Sequence, residues 1–175
     1  RLYALNTSRA TEQSPLTIDD LEGLTPAHGT ASNTNGWHLD FPTNPLEQPS
    51  TPVTFYNGYL LFATFSGNFN DPCAIGSSRF YAVNALTGGG AWGGGNKFIQ
   101  LEGLQVAGIT VFDDKVYLGV VGSASAGDLK SALGDSARLT GNLLSFDLPE
   151  EIPSSGDAGA GAEPGPIFWR EWRTK

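Results

Sequence analysis

The amino-acid sequence predicts an all-β chain made of four-stranded antiparallel sheets, the closing blades of a β-propeller. Three observations carry that expectation. A strand-turn-strand phrase recurs at a constant offset, its apolar runs fail to alternate with polar residues, and a short strand ending in Asn or Asp follows each copy.

The first copy, PVTFYNGYLLFATFSG from Pro52, lies over the second, GITVFDDKVYLGVVGS from Gly108. Val53 matches Ile109, Phe55 matches Val111, Leu60 matches Val116, and Ala63 matches Gly119. Asn57-Gly58 and Asp113-Asp114 fall between the apolar runs, where a two-residue turn makes each phrase a β-hairpin. YLLFATF (59–65) and VYLGVV (116–121) are apolar at successive positions, so both faces of their strands need cover. Sheets stacked between neighbours provide it. A buried helix is the competing reading, and the aromatic content and bounding turns argue against it.

The remaining elements follow in order. RFYAVNALTG (79–88) is a third strand whose Asn84 starts a turn that Thr87-Gly88-Gly89 completes, because Asn bonds its own backbone and glycine accepts positive φ. NLLSFDLPEE (142–151) repeats it with Asp147 in the place of Asn84, and RLYALNTS (1–8) repeats it with Asn6. A fourth strand is expected in GWHLDF (36–41), KFIQLEG (97–103) and IFWREWR (167–173). One propeller domain therefore divides into 1–42, the end of a blade with an inserted loop, then 52–103, a blade, and 108–175, the last blade. Residues 7–30, with Ser14-Pro15 as a helix start, read as a loop holding one helical turn. Residues 123–140 read as a loop with a short helix across DLKSALGD, and SSGDAGAGAEPGP (154–166) as a flexible Gly/Ala/Pro excursion.

Composition narrows the partners. The 175 residues carry a formal charge of −8, with a pI near 4.5 and no run of Lys or Arg, which argues against a phosphate backbone as ligand. The apolar runs are too short to cross a bilayer as helices. No signal peptide is visible, and a chain that starts at Arg1 without any methionine is expected to be processed or part of a longer one. Cys73 has no partner in the sequence for an intrachain disulfide, leaving a buried thiol, an unpaired one, or one bonded outside this sequence. The sequon Asn6-Thr7-Ser8 carries no argument by itself.

No catalytic, cofactor-binding or metal-binding residue is expected. His38 and Asp40 share one strand face and are able in principle to share a metal, but a strand histidine beside an acid is ordinarily structural; His28 has no such neighbour. Asp19-Asp20, Asp113-Asp114 and Glu150-Glu151 fall in turns, where solvated carboxylates are the usual case. GGGAWGGGN lacks the Lys-Ser/Thr of a phosphate loop, and no Ser nucleophile elbow or calcium loop occurs.

The pattern Ala82-x-Asn84-x-x-Thr87-Gly88-x-x-x-Trp92 resembles the tryptophan-docking repeat of quinoprotein-type propellers, with Asn where Asp is usual. The resemblance implies that Trp92 is a wedge between blades. Asp71-Pro72-Cys73, Gly76-Ser77-Ser78, the run Arg79 to Gly89 and the ending Phe168-Trp169-Arg170-Glu171-Trp172-Arg173 resemble the C-terminal propeller of the PilC/PilY family of type IV pilus tip proteins. The likeness runs from about residue 52 to the end. It implies an exported, non-catalytic protein at the cell surface, pilus tip or outer membrane, acting in pilus biogenesis, adhesion and twitching motility. Its implied partners are the other propeller blades and minor pilins. The family's calcium loop and N-terminal adhesive region have no match here. The alternative is a pyrroloquinoline-quinone dehydrogenase propeller, which needs a calcium ligand set, a catalytic Asp and usually adjacent cysteines. A scaffold propeller of the outer-membrane assembly type ranks lower, on the C-terminal motif.

Overall fold

A computed structural model describes residues 1–6, 16–27, 29–32, 35–42, 46–67 and 76–153. These form three sheets stacked in a row, mostly antiparallel, and the all-β expectation holds. The described residues close no ring.

The N-terminal sheet holds β1 (Leu2–Leu5), β2 (Glu22–Leu24) and β3 (Gly36–Leu39). β1 and β3 pair antiparallel, Leu2 opposite Leu39 and Ala4 opposite Trp37, as a third and fourth strand should. The intervening segment holds one 3-10 turn, Ile18–Asp20, as expected, and β2, whose three residues Glu22-Gly23-Leu24 are too few for a strand pattern and which pairs parallel with β3. The turn is capped by Asp20, whose carboxylate accepts from Thr17 N at 2.7 Å and Thr17 Oγ1 at 2.8 Å.

The middle sheet comprises β4 (Glu47–Pro49), β5 (Thr54–Tyr56), β6 (Tyr59–Ser66), β7 (Ser77–Asn84) and β8 (Phe98–Glu102). β5 to β8 follow the order expected of a blade. β4 was not foreseen. It lies end to end with β5 along the same edge of β6, on Thr64–Ser66 while β5 covers Tyr59–Leu61. Across the gap Ser50 N donates to Ala63 O, and Thr51 Oγ1 accepts from Ala63 N at 2.8 Å.

The C-terminal sheet comprises β9 (Leu104–Phe112), β10 (Lys115–Gly122), β11 (Arg138–Thr140) and β12 (Leu143–Asp147). Its spatial order is β9-β10-β12-β11. Residues 123–140 were expected to be loop around a short helix. The helix is there, α1 (Ala126–Leu133), with Ser125 accepting from Asp128 N at its start, but Arg138–Thr140 form a strand. β11 occupies the outer side of β12 along Leu143–Ser145, an edge the repeat assigned to IFWREWR. That segment, with Cys73, His28, Ser14-Pro15 and Thr7-Ser8, lies outside the described residues.

Both hairpin turns have the backbone that Asn-Gly and Asp-Asp suggest. Asn57 and Gly58 have φ of 45° and 84°, and Asp113 and Asp114 have 51° and 56°. Two successive positive φ values are the mark of a type I′ turn, whose twist suits the flanking strands.

Packing follows the repeat. The middle sheet buries Leu60, Phe62, Tyr81 and Val83 against Ala4, Trp37 and Leu39 of the N-terminal sheet. Its opposite face buries Leu61, Ala63, Phe80 and Ala82 against Val106, Val116, Leu118, Leu144 and Phe146 of the C-terminal sheet. The non-alternating run in β6 thus reflects cover on both sides.

The turn after β7 joins the first two sheets. Asn84 Oδ1 accepts from the amides of Leu86 and Thr87, both at 3.0 Å, and Gly89 N donates to Thr87 Oγ1. Against this turn lies Trp37, fully buried, its Nε1 donating to Ala85 O at 3.2 Å. Gly88 has φ of 66°, and a Cβ there would stand 2.2 Å from Leu24 Cδ1 and 3.1 Å from the Trp37 ring. The Thr-Gly pair is therefore needed for the turn and also for the indole behind it. Gly88→Ala is expected to cost about 1–3 kcal/mol through strain at positive φ and the crowded contact. Trp37→Ala should cost about 3–5 kcal/mol. Chemical unfolding of both variants checks this; a Gly88→Ala midpoint equal to wild type would dissociate the turn from the packing.

Candidate functional site

A buried polar hub forms around Glu47, in the stretch Leu46-Glu47-Gln48-Pro49. β4 carries it onto the face that the N-terminal sheet covers, where it is buried. Its Oε1 accepts from Tyr81 OH at 2.7 Å and from Thr64 Oγ1, and its Oε2 accepts from Arg79. The Arg79 guanidinium lies 4.4 Å from the centre of the Phe98 ring, which itself tilts against Tyr81. One carboxylate thereby ties β4 to β6 and β7, and through Arg79 to β8. Burial, then the charge of Glu47, pushes the Tyr81 hydroxyl well above its ordinary range. With three donors on its two oxygens, Glu47 is a strut.

A second polar region lies where the two hairpin turns meet the segment after β12. Tyr56 OH donates to Asp114 Oδ1 at 2.6 Å, Tyr59 OH to Glu151 O, and Asn57 Nδ2 to Pro153 O at 2.7 Å. Asp113, Asp114, Asp147, Glu150 and Ile152 line an open hollow of about 400 Å³ beside them. Asp147 is matched with Asn84 by the repeat, yet it starts no equivalent turn. Its carboxylate meets Lys115 Nζ at 2.8 Å, which holds it below the usual carboxylate range. Among the described residues no group of three or more His, Cys, Asp or Glu side chains is arranged to hold a metal ion.

His38 and Asp40 are brought together as their spacing suggested, Nε2 to Oδ2 at 3.8 Å, and Arg1 stands on the same carboxylate at 2.5 Å. The ion pair is half exposed and accounts for Asp40 without a ligand. Glu150 lies along the hollow, and Asp19 sits in the capped 3-10 turn.

Trp92 was expected to be the wedge between blades. It does sit at a sheet boundary, its ring 6.0 Å from Phe80 of β7 and 6.3 Å from Phe146 of β12, but it is only half-buried. The indole that docks in full is Trp37. In the ladder Trp37 stands opposite Ala4, and the corresponding place opposite Ala82 is held by Lys97. Lys97 is buried too, and its Nζ donates to Gly29 O at 2.6 Å. Taking an ammonium out of water holds its pKa below the ordinary 10.5.

No family model, curated protein or solved structure matches the chain. Among the described residues no helix is long and apolar enough to cross a membrane.

Two expectations follow. Glu47→Ala should cost about 3 kcal/mol, because it leaves the Arg79 charge unpaired beside an apolar core, while Tyr81→Phe should cost about 1 kcal/mol; equilibrium unfolding separates them. Lys97 has a lower pKa folded than unfolded, so between its folded value and 10.5 the unfolded chain binds more protons and stability rises with pH. The stability difference between wild type and Lys97→Met, followed from neutral pH upward, should change in the wild type's favour. A pH-independent difference would mean that Lys97 is hydrated in the folded state.

Proposed function

We propose that this chain forms the C-terminal blades of a quinoprotein-like β-propeller in an exported protein of the PilC/PilY type, acting without catalysis in type IV pilus biogenesis, adhesion and twitching motility. The observation that carries the reading is the stack: two successive sheets repeat a hairpin followed by a third strand paired in the same order, and bury equivalent positions on the face turned to the preceding sheet, with an indole docked on an Asn-Thr-Gly turn. The run that resembles the pilus family, Arg79 to Gly89, supplies both the turn and the cation that neutralises Glu47. Residues with this much structural duty suit an assembly module. Its partners on this reading are further blades of the same propeller and minor pilin components, at the cell surface, pilus tip or outer membrane. A net charge of −8 argues against nucleic acid as a partner.

The test is chromosomal replacement in the source organism by Gly88→Ala and Glu47→Ala. Both should reduce surface piliation and twitching in proportion to the loss of folded protein, with no quinone-dependent dye reduction by the purified wild type. Normal motility with unstable protein would separate the chain from the pilus, and dye reduction dependent on added quinone and calcium would favour the dehydrogenase reading.

A further inference from the structure

The sequence contains two Asn-Gly pairs, Asn35-Gly36 and Asn57-Gly58. Such a pair is chemically labile wherever the glycine nitrogen reaches the asparagine side chain, because no Cβ shields that nitrogen. The fold treats the two pairs differently. Gly36 is buried in the β1–β3 ladder opposite Leu5, and a Cβ on it would stand 2.1 Å from Ala4 O. Asn35 is held as well, its carbonyl accepting from Asn6 N at 2.9 Å. Gly58 sits at the tip of the β5–β6 hairpin, where a Cβ would meet nothing within 4 Å. The bond that closes a type I′ turn is made by the residue after the glycine, so the Gly58 amide stands outside the ladder.

Asn57 is also more than a turn residue. Its Nδ2 donates to Pro153 O at 2.7 Å, and Tyr59 OH donates to Glu151 O at 3.1 Å. These two bonds pin the segment after β12 to the hairpin tip, beside the hollow lined by Asp113, Asp114, Asp147 and Glu150. An ionised aspartate or isoaspartate at position 57 has no hydrogen to donate. Its carboxylate would face the Pro153 carbonyl, acceptor against acceptor, in a region that already carries acidic side chains. The turn itself accommodates Asp, since Asp113 holds the equivalent place with φ of 51°.

We propose that Asn57 is a modification site, at which deamidation of the side chain releases residues 149–153 from the hairpin tip. The Gly58 nitrogen attacks Asn57 Cγ. The new N–Cγ bond forms as the Cγ–Nδ2 bond breaks, and Nδ2 leaves as ammonia with the proton that the glycine nitrogen gives up. Water then opens the cyclic imide at either carbonyl, giving aspartate or isoaspartate, and no oxidant or cofactor enters. The hydrogen bond to Pro153 restrains Nδ2, but one such bond at the surface slows the step by no more than about tenfold. At Asn35 the reaction must wait for the β1–β3 ladder to open, which the buried Ala4, Trp37 and Leu39 oppose. Burial thus selects one of two identical dipeptides.

Chymotryptic peptide mapping of the whole chain, held for weeks in mildly alkaline buffer either native or in urea, tests it. In the native chain the peptide containing residue 57 should become one mass unit heavier, with both aspartate and isoaspartate present. It should do so at least about tenfold faster than the peptide containing residue 35. In urea the two should convert alike. The Ile152 amide, which donates to Pro149 O, should exchange its hydrogen about threefold to tenfold faster in the aged chain and in Asn57→Asp than in fresh wild type. The melting temperature of Asn57→Asp reports whether that variant is folded, and the aged wild type gives the same readout without a substitution. A native chain that keeps Asn57 over the time in which urea converts it, equal native rates at 35 and 57, or Ile152 exchange unchanged after conversion would each overturn the proposal.

Discussion

The arrangement depends on one constraint: β6 is apolar on both sides. Leu60 and Phe62 point one way, Leu61 and Ala63 the other, and all four are buried. Leaving either side in water would cost about 1.5–3 kcal/mol for each large side chain exposed. A single sheet cannot meet that demand, and a two-layer sandwich meets half of it. Three layers are the least that satisfies β6, and the N-terminal and C-terminal sheets are those layers. Phe62 stacks on Tyr81 with ring centres 4.7 Å apart, and Phe80 meets Phe146 edge-on at 5.6 Å, so aromatic contacts run through the stack on both sides of β7.

What was legible in the sequence was local. Asn57-Gly58, Asp113-Asp114 and Asn84 announce their turns through the conformations their own residues favour, and the repeat then places the strands. The layering was legible from the missing alternation in YLLFATF. What was hidden depends on residues distant in the chain. Glu47, Thr64, Arg79, Tyr81 and Phe98 come from four strands, and no spacing links them. Their one local sign is an arginine at the head of an apolar strand, where a charge needs a partner. β11 is three residues long and carries Arg138, too little for a strand signal, although Thr140-Gly141-Asn142 does mark the reversal after it.

The exchange of Trp37 and Lys97 shows how an imperfect repeat is read wrongly. The motif drew attention to Trp92 because it follows the Thr-Gly turn in sequence. The indole that packs on that turn comes instead from the preceding sheet, 48 residues earlier than its acceptor. A docking motif couples neighbouring units, so its two halves need not be neighbours in sequence. At the equivalent ladder place the next unit puts an ammonium on a loop carbonyl. The two sites share a backbone position and differ in chemistry, so the units are not interchangeable.

The divided edge of the middle sheet has a consequence of its own. β4 and β5 are each three residues long and separated by Ser50–Val53, with Pro49 and Pro52 close to the break. Neither proline has an amide hydrogen to offer an incoming strand. An unbroken edge beside so apolar a strand as β6 would invite a foreign chain to extend the sheet, the first step towards fibrils. Breaking it into two short pieces gives β6 its hydrogen bonds while leaving no long template outside. Joining the pieces, by replacing Pro49 and Pro52 with strand-forming residues, would trade that protection against aggregation for a more regular sheet.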